Sequence, residues 1–163
     1  MPLDAAIRRD LLRRPSGVIA LGFGAGLSPV APGTVGSLVA LAPWLALREL
    51  PPLAYALALA FAFALGVFVC GAAARRIGGE DPGAVVWDEF VGLWIALAPL
   101  ASASHGMLWI CAGFILFRIF DVWKPWPVSW ADENVKGGLG VMLDDVLAGA
   151  YAALALVLLQ RVF

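Results

Sequence analysis

Acidic residues are the part of this sequence most suited to chemistry. They interrupt apolar segments at three places, which hold Asp88 and Glu89, then Asp121, then Asp144 and Asp145. An ionisable side chain inside a membrane helix costs at least ~2.5 kcal/mol on insertion scales, so such residues are usually functional. Asp88 and Glu89 could equally cap a helix and complement its dipole. Asp144 and Asp145, in contrast, lie several residues inside an apolar helix. We interpret all five as candidate catalytic and metal-binding residues.

The metal that these residues favour is Mg²⁺. Carboxylates that converge without imidazole or thiolate partners suit a hard cation, which binds through carboxylates, waters and phosphate oxygens. The chain has a single histidine, His105, interpreted as an exposed loop residue, and its two cysteines lie in apolar runs. Zinc is therefore a poor fit. On a helix Asp144 and Asp145 point about 100° apart, so one could bind metal while the other supports it.

Basic residues near the carboxylates are candidates for holding an anionic substrate. Arg118, Asp121 and Lys124 recur every three residues, which puts them on one helical face if the helix extends that far. Lys136 precedes the glycine-rich sequence of residues 137–140 and then a predicted helix. A lysine and a glycine-rich turn at a helix N-terminus can hold an anion with backbone N–H groups. We predict that Arg118, Lys124 and Lys136 bind substrate.

A glycine- and proline-rich segment over residues 22–37 supplies further hydroxyl groups. It matches neither the phosphate loop with its lysine nor a dinucleotide fingerprint, because no strand precedes it. As an apolar, broken helix it is predicted to be a re-entrant segment, which membranes accept where irregular backbone is buried or lines a cavity. Ser28, Thr34 and Ser37 of this segment are predicted to bind substrate.

The elements that position these residues are apolar helices. Apolar residues make up 62% of the 163 and charged residues 14%, against roughly 25% charged in an ordinary soluble domain. Leu53–Ala74 is uncharged over 22 residues, about 33 Å as a helix, which matches a bilayer core. Four shorter or partly charged candidates are Thr34–Leu47, Phe90–Ala101, Met107–Phe120 and Leu139–Phe163. We predict an all-α, compact integral-membrane bundle with about five hydrophobic helices, forming one domain over residues 1–163.

Orientation follows from the basic residues, which concentrate in short cytoplasmic connections. The first fourteen residues predict a short amphipathic helix on an anionic membrane surface. With this end inside, five spans leave only Arg48 and Arg161 on the far side. The cytoplasmic basic residues are then Arg8, Arg9, Arg13, Arg14, Arg75, Arg76, Arg118, Lys124 and Lys136. Trp123, Trp126 and Trp130 are placed at the same interface, where aromatic belts form.

Several other functions are disfavoured by the composition. A net charge of -1 offers no basic face for nucleic acid, and no obligate protein partner is predicted. Cys70 and Arg76 have the C-x5-R spacing of cysteine phosphatases, but no basic group precedes Cys70, which lies within the uncharged run Leu53–Ala74 that is predicted to span the membrane. A small transporter or channel subunit, with the carboxylates as an ion path, remains the alternative, although no internal repeat is apparent.

Four blocks of sequence resemble one enzyme family. They are residues 26–37 (GLSPVAPGTVGS), 86–92 (VWDEFVG), 117–127 (FRIFDVWKPWP) and 136–149 (KGGLGVMLDDVLAG). Together they resemble phosphatidylglycerophosphatase A, across most of the chain. The resemblance implies an all-helical, Mg²⁺-dependent enzyme that removes the terminal phosphate of phosphatidylglycerophosphate, giving phosphatidylglycerol. It also implies action at the cytoplasmic face of the bacterial inner membrane, with membrane lipids as partners. The prediction of a multi-pass protein rests on the composition and not on the resemblance.

The chemistry expected of such an enzyme is metal-assisted hydrolysis, with Mg²⁺ neutralising phosphate oxygens and orienting water for in-line attack. A covalent aspartyl-phosphate route is the alternative, because carboxylates can act as nucleophiles. The sequence lacks the D-x-D arrangement of familiar phosphatases that use that route, and it lacks the long aspartate pattern of CDP-alcohol phosphotransferases. We therefore favour direct attack by water.

Overall fold

The fold is all-α, as predicted. A computed structural model describes residues 3–78, 82–101 and 106–162, and within these ranges every regular element is a helix. His105 lies outside the described residues. The helices are α1 (Ala5–Leu12), α2 (Pro15–Ala20), α3 (Pro32–Leu47), α4 (Pro52–Ile77), α5 (Trp87–Ala96), α6 (Met107–Trp123), α7 (Val128–Asn134) and α8 (Gly137–Val162), with 3₁₀ segments at Gly22–Leu27 and Ala98–Leu100.

Within the described ranges, two helices are long and apolar enough to cross a membrane. They are α4 and α8, each of 26 residues, which is about 39 Å at the rise of an α-helix. The other predicted segments contain shorter helices, since α3 has 16 residues, α5 has 10 and α6 has 17. Five full spans therefore stay a prediction, while a helical membrane bundle fits the structure.

The last helix is the centre of the bundle, because α8 packs against α4, α5, α6 and α7. Its contact with α5 is close enough to require glycine on both sides. A Cβ atom added to Gly149 would collide with the carbonyl oxygen of Gly92, and one added to Gly92 would lie 2.8 Å from the carbonyl oxygen of Asp145. Small residues at helix crossings allow this approach in membrane proteins. The result is that the acidic turn of α8 lies beside α5.

Polar atoms in the apolar interior hold α5 in place. The Trp87 indole Nε1 donates to the carbonyl oxygen of Ala62 on α4 at 3.0 Å. The Trp94 indole Nε1 donates to that of Ala40 on α3 at 2.9 Å, and the Tyr55 hydroxyl donates to the carbonyl oxygen of Trp94. Buried donors without partners are costly, so these bonds fix the rotation of α5 between its neighbours.

The predicted N-terminal helix is present as α1, but its apolar side packs on the protein. Leu11 is buried in the core and Ile7 packs against it. Asp10 forms ion pairs with Arg14 at 3.1 Å and with Arg76 of α4 at 3.6 Å. Much of the apolar side of α1 therefore packs on the protein, while Leu12 is 40% exposed. A position on the membrane surface stays a prediction.

The glycine- and proline-rich segment is irregular over residues 22–31, as predicted, whereas residues 32–37 form the regular first turns of α3. Phe23 and Gly24 have positive φ values of 57° and 103° inside the 3₁₀ segment, and Ala31 has a φ of 45° where it caps α3. Left-handed backbone is uncommon for residues with a side chain, so two breaks separate α2 from α3. A re-entrant path through a membrane stays a prediction.

The close contact of α5 with α8 gives a testable expectation. Gly149→Ala places a methyl group against the backbone of α5, so the helices must separate, at a cost of about 1–3 kcal/mol as for other overpacked sites. The melting temperature of the detergent-solubilised chain should fall. Gly106→Ala is the control, because nothing lies within 4 Å of its added Cβ. An equal melting temperature for both variants would contradict the close packing.

Candidate active site

Three carboxylates form the centre of the candidate site. Asp88 and Glu89 lie in the first turn of α5, and Asp145 lies in the third turn of α8. One carboxylate oxygen from each residue lies within 4.8 Å of the other two. Asp88 is 7% exposed and Asp145 is 3% exposed. Like charges so close in an apolar setting repel each other unless protons or a cation offset them.

The surroundings of Glu89 show this repulsion. Glu89 lies outside the two candidate membrane-spanning helices, and burial together with the Asp145 carboxylate raises its pKa to about 8. Among the described residues, Glu89 Oε2 and Asp145 Oδ2 are buried without a hydrogen-bond donor. Buried polar atoms normally have partners. Oxygen atoms of this kind, on residues that share a site, are suitable ligands for a hard cation such as Mg²⁺.

An arginine and an aspartate of α6 border the three carboxylates. Arg118 Nη1 lies 2.7 Å from Asp121 Oδ2 and donates to Ser37 Oγ at 3.3 Å. The Ser37 hydroxyl in turn donates to the carbonyl oxygen of Gly33 at 2.9 Å. The Asp121 carboxylate also contacts that of Asp145. Asp121 therefore connects the guanidinium group to the acidic centre.

The N-terminus of α3 reaches the same site through a glycine. A Cβ atom at Gly33 would collide with Glu89 Oε1 and would lie 3.4 Å from Arg118 Nη1. Only a residue without a side chain leaves room there for both charged groups. Thr34 follows in the same helical turn and is half-buried. This contact explains one glycine of the block at residues 26–37.

Asp144 faces a different group from its neighbour. Lys124 Nζ lies 2.8 Å from Asp144 Oδ2 and 2.7 Å from Asp132 Oδ1. Burial lowers the pKa of Lys124, but the hydrogen bonds and charges of the two carboxylates outweigh burial and raise this pKa above its ordinary value. Lys124 is therefore a permanent cation, and it offsets the charge of the buried Asp144. The side chains of Asp144 and Asp145 therefore point to different groups, as expected for consecutive residues of a helix.

The prediction that Arg118, Asp121 and Lys124 share one helical face is wrong for Lys124. The first two do share a face of α6, but α6 ends at Trp123. Lys124 follows it in a left-handed conformation, with a φ of 47°. The change of backbone direction turns its side chain away from Arg118 and towards α7 and α8.

The remaining predicted residues differ in position. Ser37 contacts Arg118, as described above, and Lys136 lines an open cleft with Asp132 and Asp144. Ser28 is half-buried and donates to the carbonyl oxygen of Val30 at 2.8 Å, so the structure records a local turn contact for it. Sequence reasoning missed Asp132, because the segment that forms α7 was interpreted as a connection between helices.

Comparison with known proteins decides the family. The family model described as phosphatidylglycerophosphatase A matches residues 18–160. The chain belongs to the phosphatidylglycerophosphatase A family. It is 45% identical over 150 residues to the Escherichia coli phosphatidylglycerophosphatase A, covering 92% of this chain and 86% of that protein. It is 40% identical over 155 residues to the Haemophilus influenzae protein of the same name, covering 94% of each.

Another similar protein has a different name. A Bacteroides thetaiotaomicron protein, provisionally named phosphatidylinositol-3-phosphatase, is 45% identical over 150 residues, covering 86% of this chain and 92% of that protein. No solved structure gives a significant match. The predicted family and the prediction of a phosphatase are confirmed, which disfavours the transporter alternative.

The ion pair between Lys124 and Asp144 gives a second expectation. Lys124→Met leaves the buried Asp144 carboxylate without this cation, and an unsatisfied buried group costs about 1–3 kcal/mol. Thermal unfolding in detergent should show a lower melting temperature. Adding Asp144→Asn to this variant should recover most of the loss, whereas adding Asp132→Asn should not, because Asp132 is exposed. Equal recovery by both second substitutions would contradict this account.

Proposed function

We propose that this chain is a Mg²⁺-dependent lipid phosphatase that hydrolyses the terminal phosphomonoester of phosphatidylglycerophosphate to give phosphatidylglycerol. The observation that carries the proposal is the grouping of Asp88, Glu89 and Asp145 beside the Arg118–Asp121 pair. The names of the Escherichia coli and Haemophilus influenzae relatives support the substrate. Oxygen ligands next to a guanidinium group suit a reaction at a phosphate.

The donor set fits Mg²⁺ as cofactor. Asp88, Glu89 and Asp145 would hold it, since their oxygen atoms lie within 4.8 Å of one another and no soft ligand lies among them. Bound Mg²⁺ supplies charge neutralisation at phosphate oxygens and a lower pKa for bound water. Asp121 and Asp144 would act from beside this group, through their contacts with Asp145, Arg118 and Lys124.

The chain's own residues have separable tasks in hydrolysis. Arg118 is a permanent cation that can donate to two phosphate oxygens in a forked geometry. Ser37 and Asp121 both contact Arg118 Nη1, which orients the guanidinium group. We assign to Asp121 the acceptance of a proton from the attacking water molecule. The water oxygen bonds to phosphorus as the bond to the glycerol oxygen breaks, and the glycerol oxygen takes up a proton, from Asp121 or from solvent, to leave as a hydroxyl group of phosphatidylglycerol.

The location of the site supports a lipid substrate. The acidic turn of α8 and the C-terminal part of α4 lie at the same end of the bundle, where Gly71 of α4 packs against Gly138 of α8. Trp123 and Trp126, which follow the α6 part of the site, are 72% and 76% exposed. Exposed tryptophan is typical of membrane interfaces. We propose a multi-pass protein of the bacterial inner membrane with this end in the cytoplasm.

Assays of phosphate release test the reaction and its metal. Purified chain in mixed micelles should release inorganic phosphate from phosphatidylglycerophosphate with Mg²⁺ present. EDTA should abolish release, Mg²⁺ should restore it, and Mn²⁺ should substitute, because it accepts the same ligands. Asp145→Asn, nearly isosteric, should lower kcat at least ~100-fold, in line with the loss of one electrostatic contribution. Full activity in EDTA would exclude the metal mechanism.

Two controls make that assay specific. Cys70→Ala should keep wild-type kcat and KM, because Cys70 is buried in the core, where its Sγ lies 3.9 Å from Met142 Sδ. Phosphatidylinositol 3-phosphate should be hydrolysed more slowly than phosphatidylglycerophosphate in the same micelles. The opposite preference would favour the activity in the name of the Bacteroides relative.

Cysteine labelling tests the orientation. In a chain with Cys70→Ala and Cys111→Ala, Glu133→Cys places a thiol on exposed α7, near the site. Glu49→Cys places one just before α4, at the other end of that helix. An impermeant maleimide added to intact cells should label Glu49→Cys and leave Glu133→Cys unlabelled until the cells are broken. The reverse pattern would mean that the site faces outwards.

A further inference from the structure

A cleft beside the carboxylate centre has no task in the mechanism above. It lies between α7 and the start of α8 and has a volume of about 110 Å³. Asp132, Lys136 and Asp144 contribute its charged lining, and Gly137 and Gly140 contribute backbone. Asp144 is 6% exposed, so a buried charged group forms one wall of the cleft.

The cleft adjoins the carboxylate centre through two consecutive residues. Asp144 lines the cleft, whereas Asp145 belongs to the centre with Asp88 and Glu89. Neighbouring Cα atoms are about 3.8 Å apart and the two side chains diverge around the helix. An extended molecule can therefore have one end at the centre and continue into the cleft past the same helical turn.

The chemistry of the cleft differs from that of the centre. Lys124 is held by Asp132 and Asp144, so these carboxylates are oriented and can accept further hydrogen bonds from hydroxyl groups. Lys136 is exposed beside them, immediately before the N-terminus of α8, where a helix dipole favours an anion. The cleft thus offers hydroxyl acceptors together with a cation.

We propose that this cleft binds the glycerol phosphodiester part of the substrate, with Lys136 on the phosphodiester and Asp132 and Asp144 on the glycerol hydroxyl. The inference rests on the proposed function and deepens it. Phosphatidylglycerophosphate carries a terminal phosphomonoester, then a glycerol with one free hydroxyl, then an internal phosphodiester. The terminal group occupies the carboxylate centre, and the next two groups occupy the cleft.

The surface around the cleft fits the rest of a lipid. Leu139, between the two glycines of the lining, is 45% exposed, and Trp130 on α7 is 52% exposed. Exposed apolar side chains on both helices can contact acyl chains that leave the cleft. The lipid therefore reaches the site from the side of α7 and α8, with its head group innermost.

Two probes separate the cleft from the carboxylate centre. Phosphatidylglycerol, the product, keeps the glycerol and the phosphodiester but has no phosphomonoester. Inorganic phosphate resembles only the terminal group. Binding of each is measured directly by calorimetry on the full chain in uncharged detergent with Mg²⁺, so that the readout does not depend on turnover. Phosphatidylcholine, which has a phosphodiester but no glycerol head group, is the lipid control.

Lys136→Ala should weaken phosphatidylglycerol binding at least ~10-fold, the loss expected for one charge-assisted hydrogen bond. Its affinity for inorganic phosphate should stay within about twofold of wild type. Lys136→Arg keeps the cation and should retain most of the lipid affinity. Glu133→Gln, on an exposed residue of α7 next to Asp132, is the matched control and should bind both probes as the wild type does.

Three results would overturn the cleft assignment. They are equal weakening of both probes by Lys136→Ala, no weakening of either, and wild-type binding of phosphatidylcholine as tight as that of phosphatidylglycerol. A binding curve for inorganic phosphate also shows that the variant is folded. Failure of the proposed function would give a different result. The wild-type chain would bind phosphatidylglycerol but would release no phosphate from phosphatidylglycerophosphate.

Discussion

Repulsion among carboxylates in an apolar bundle is the constraint that the rest of this structure has to satisfy. Asp88, Glu89 and Asp145 share one small volume, and Asp121 contacts the last of them. Few waters can screen these charges where the protein excludes solvent, so the repulsion is stronger than at a surface. Tight helix packing holds the groups together, and nearby positive charge lowers the cost. A bound divalent cation would remove most of what remains.

Arg118 and Lys124 each offset the charge of different carboxylates at the site. Arg118 pairs with Asp121 on its own helix, and Lys124 pairs with Asp144 and Asp132 across three helices. Each cation is matched to a carboxylate at the edge of the group. The three carboxylates at the centre are the group that we propose to bind Mg²⁺.

The sequence was informative about which residues form the site and less so about their partners. The cost of charge in apolar helices pointed to all five carboxylates. The structure groups Asp88, Glu89 and Asp145, with Asp121 beside them, whereas Asp144 faces Lys124. Helical periodicity failed at Lys124, because a face defined by spacing exists only while the backbone stays helical, and Lys124 is left-handed. Asp132 was missed for a related reason, since a short helix after two prolines has too few residues to show a period.

The N-terminus of α5 is the part of this helix that meets the acidic turn of α8. At 10 residues α5 covers about 15 Å, half the thickness of a bilayer core. The positive end of its dipole lies beside the carboxylates of the site. Asp88 and Glu89 complement that dipole and also face Asp145. The N-cap of α5 is Val86, without a side-chain cap hydrogen bond, so the two acidic residues complement the dipole from the first turn, which is compatible with the proposed metal binding.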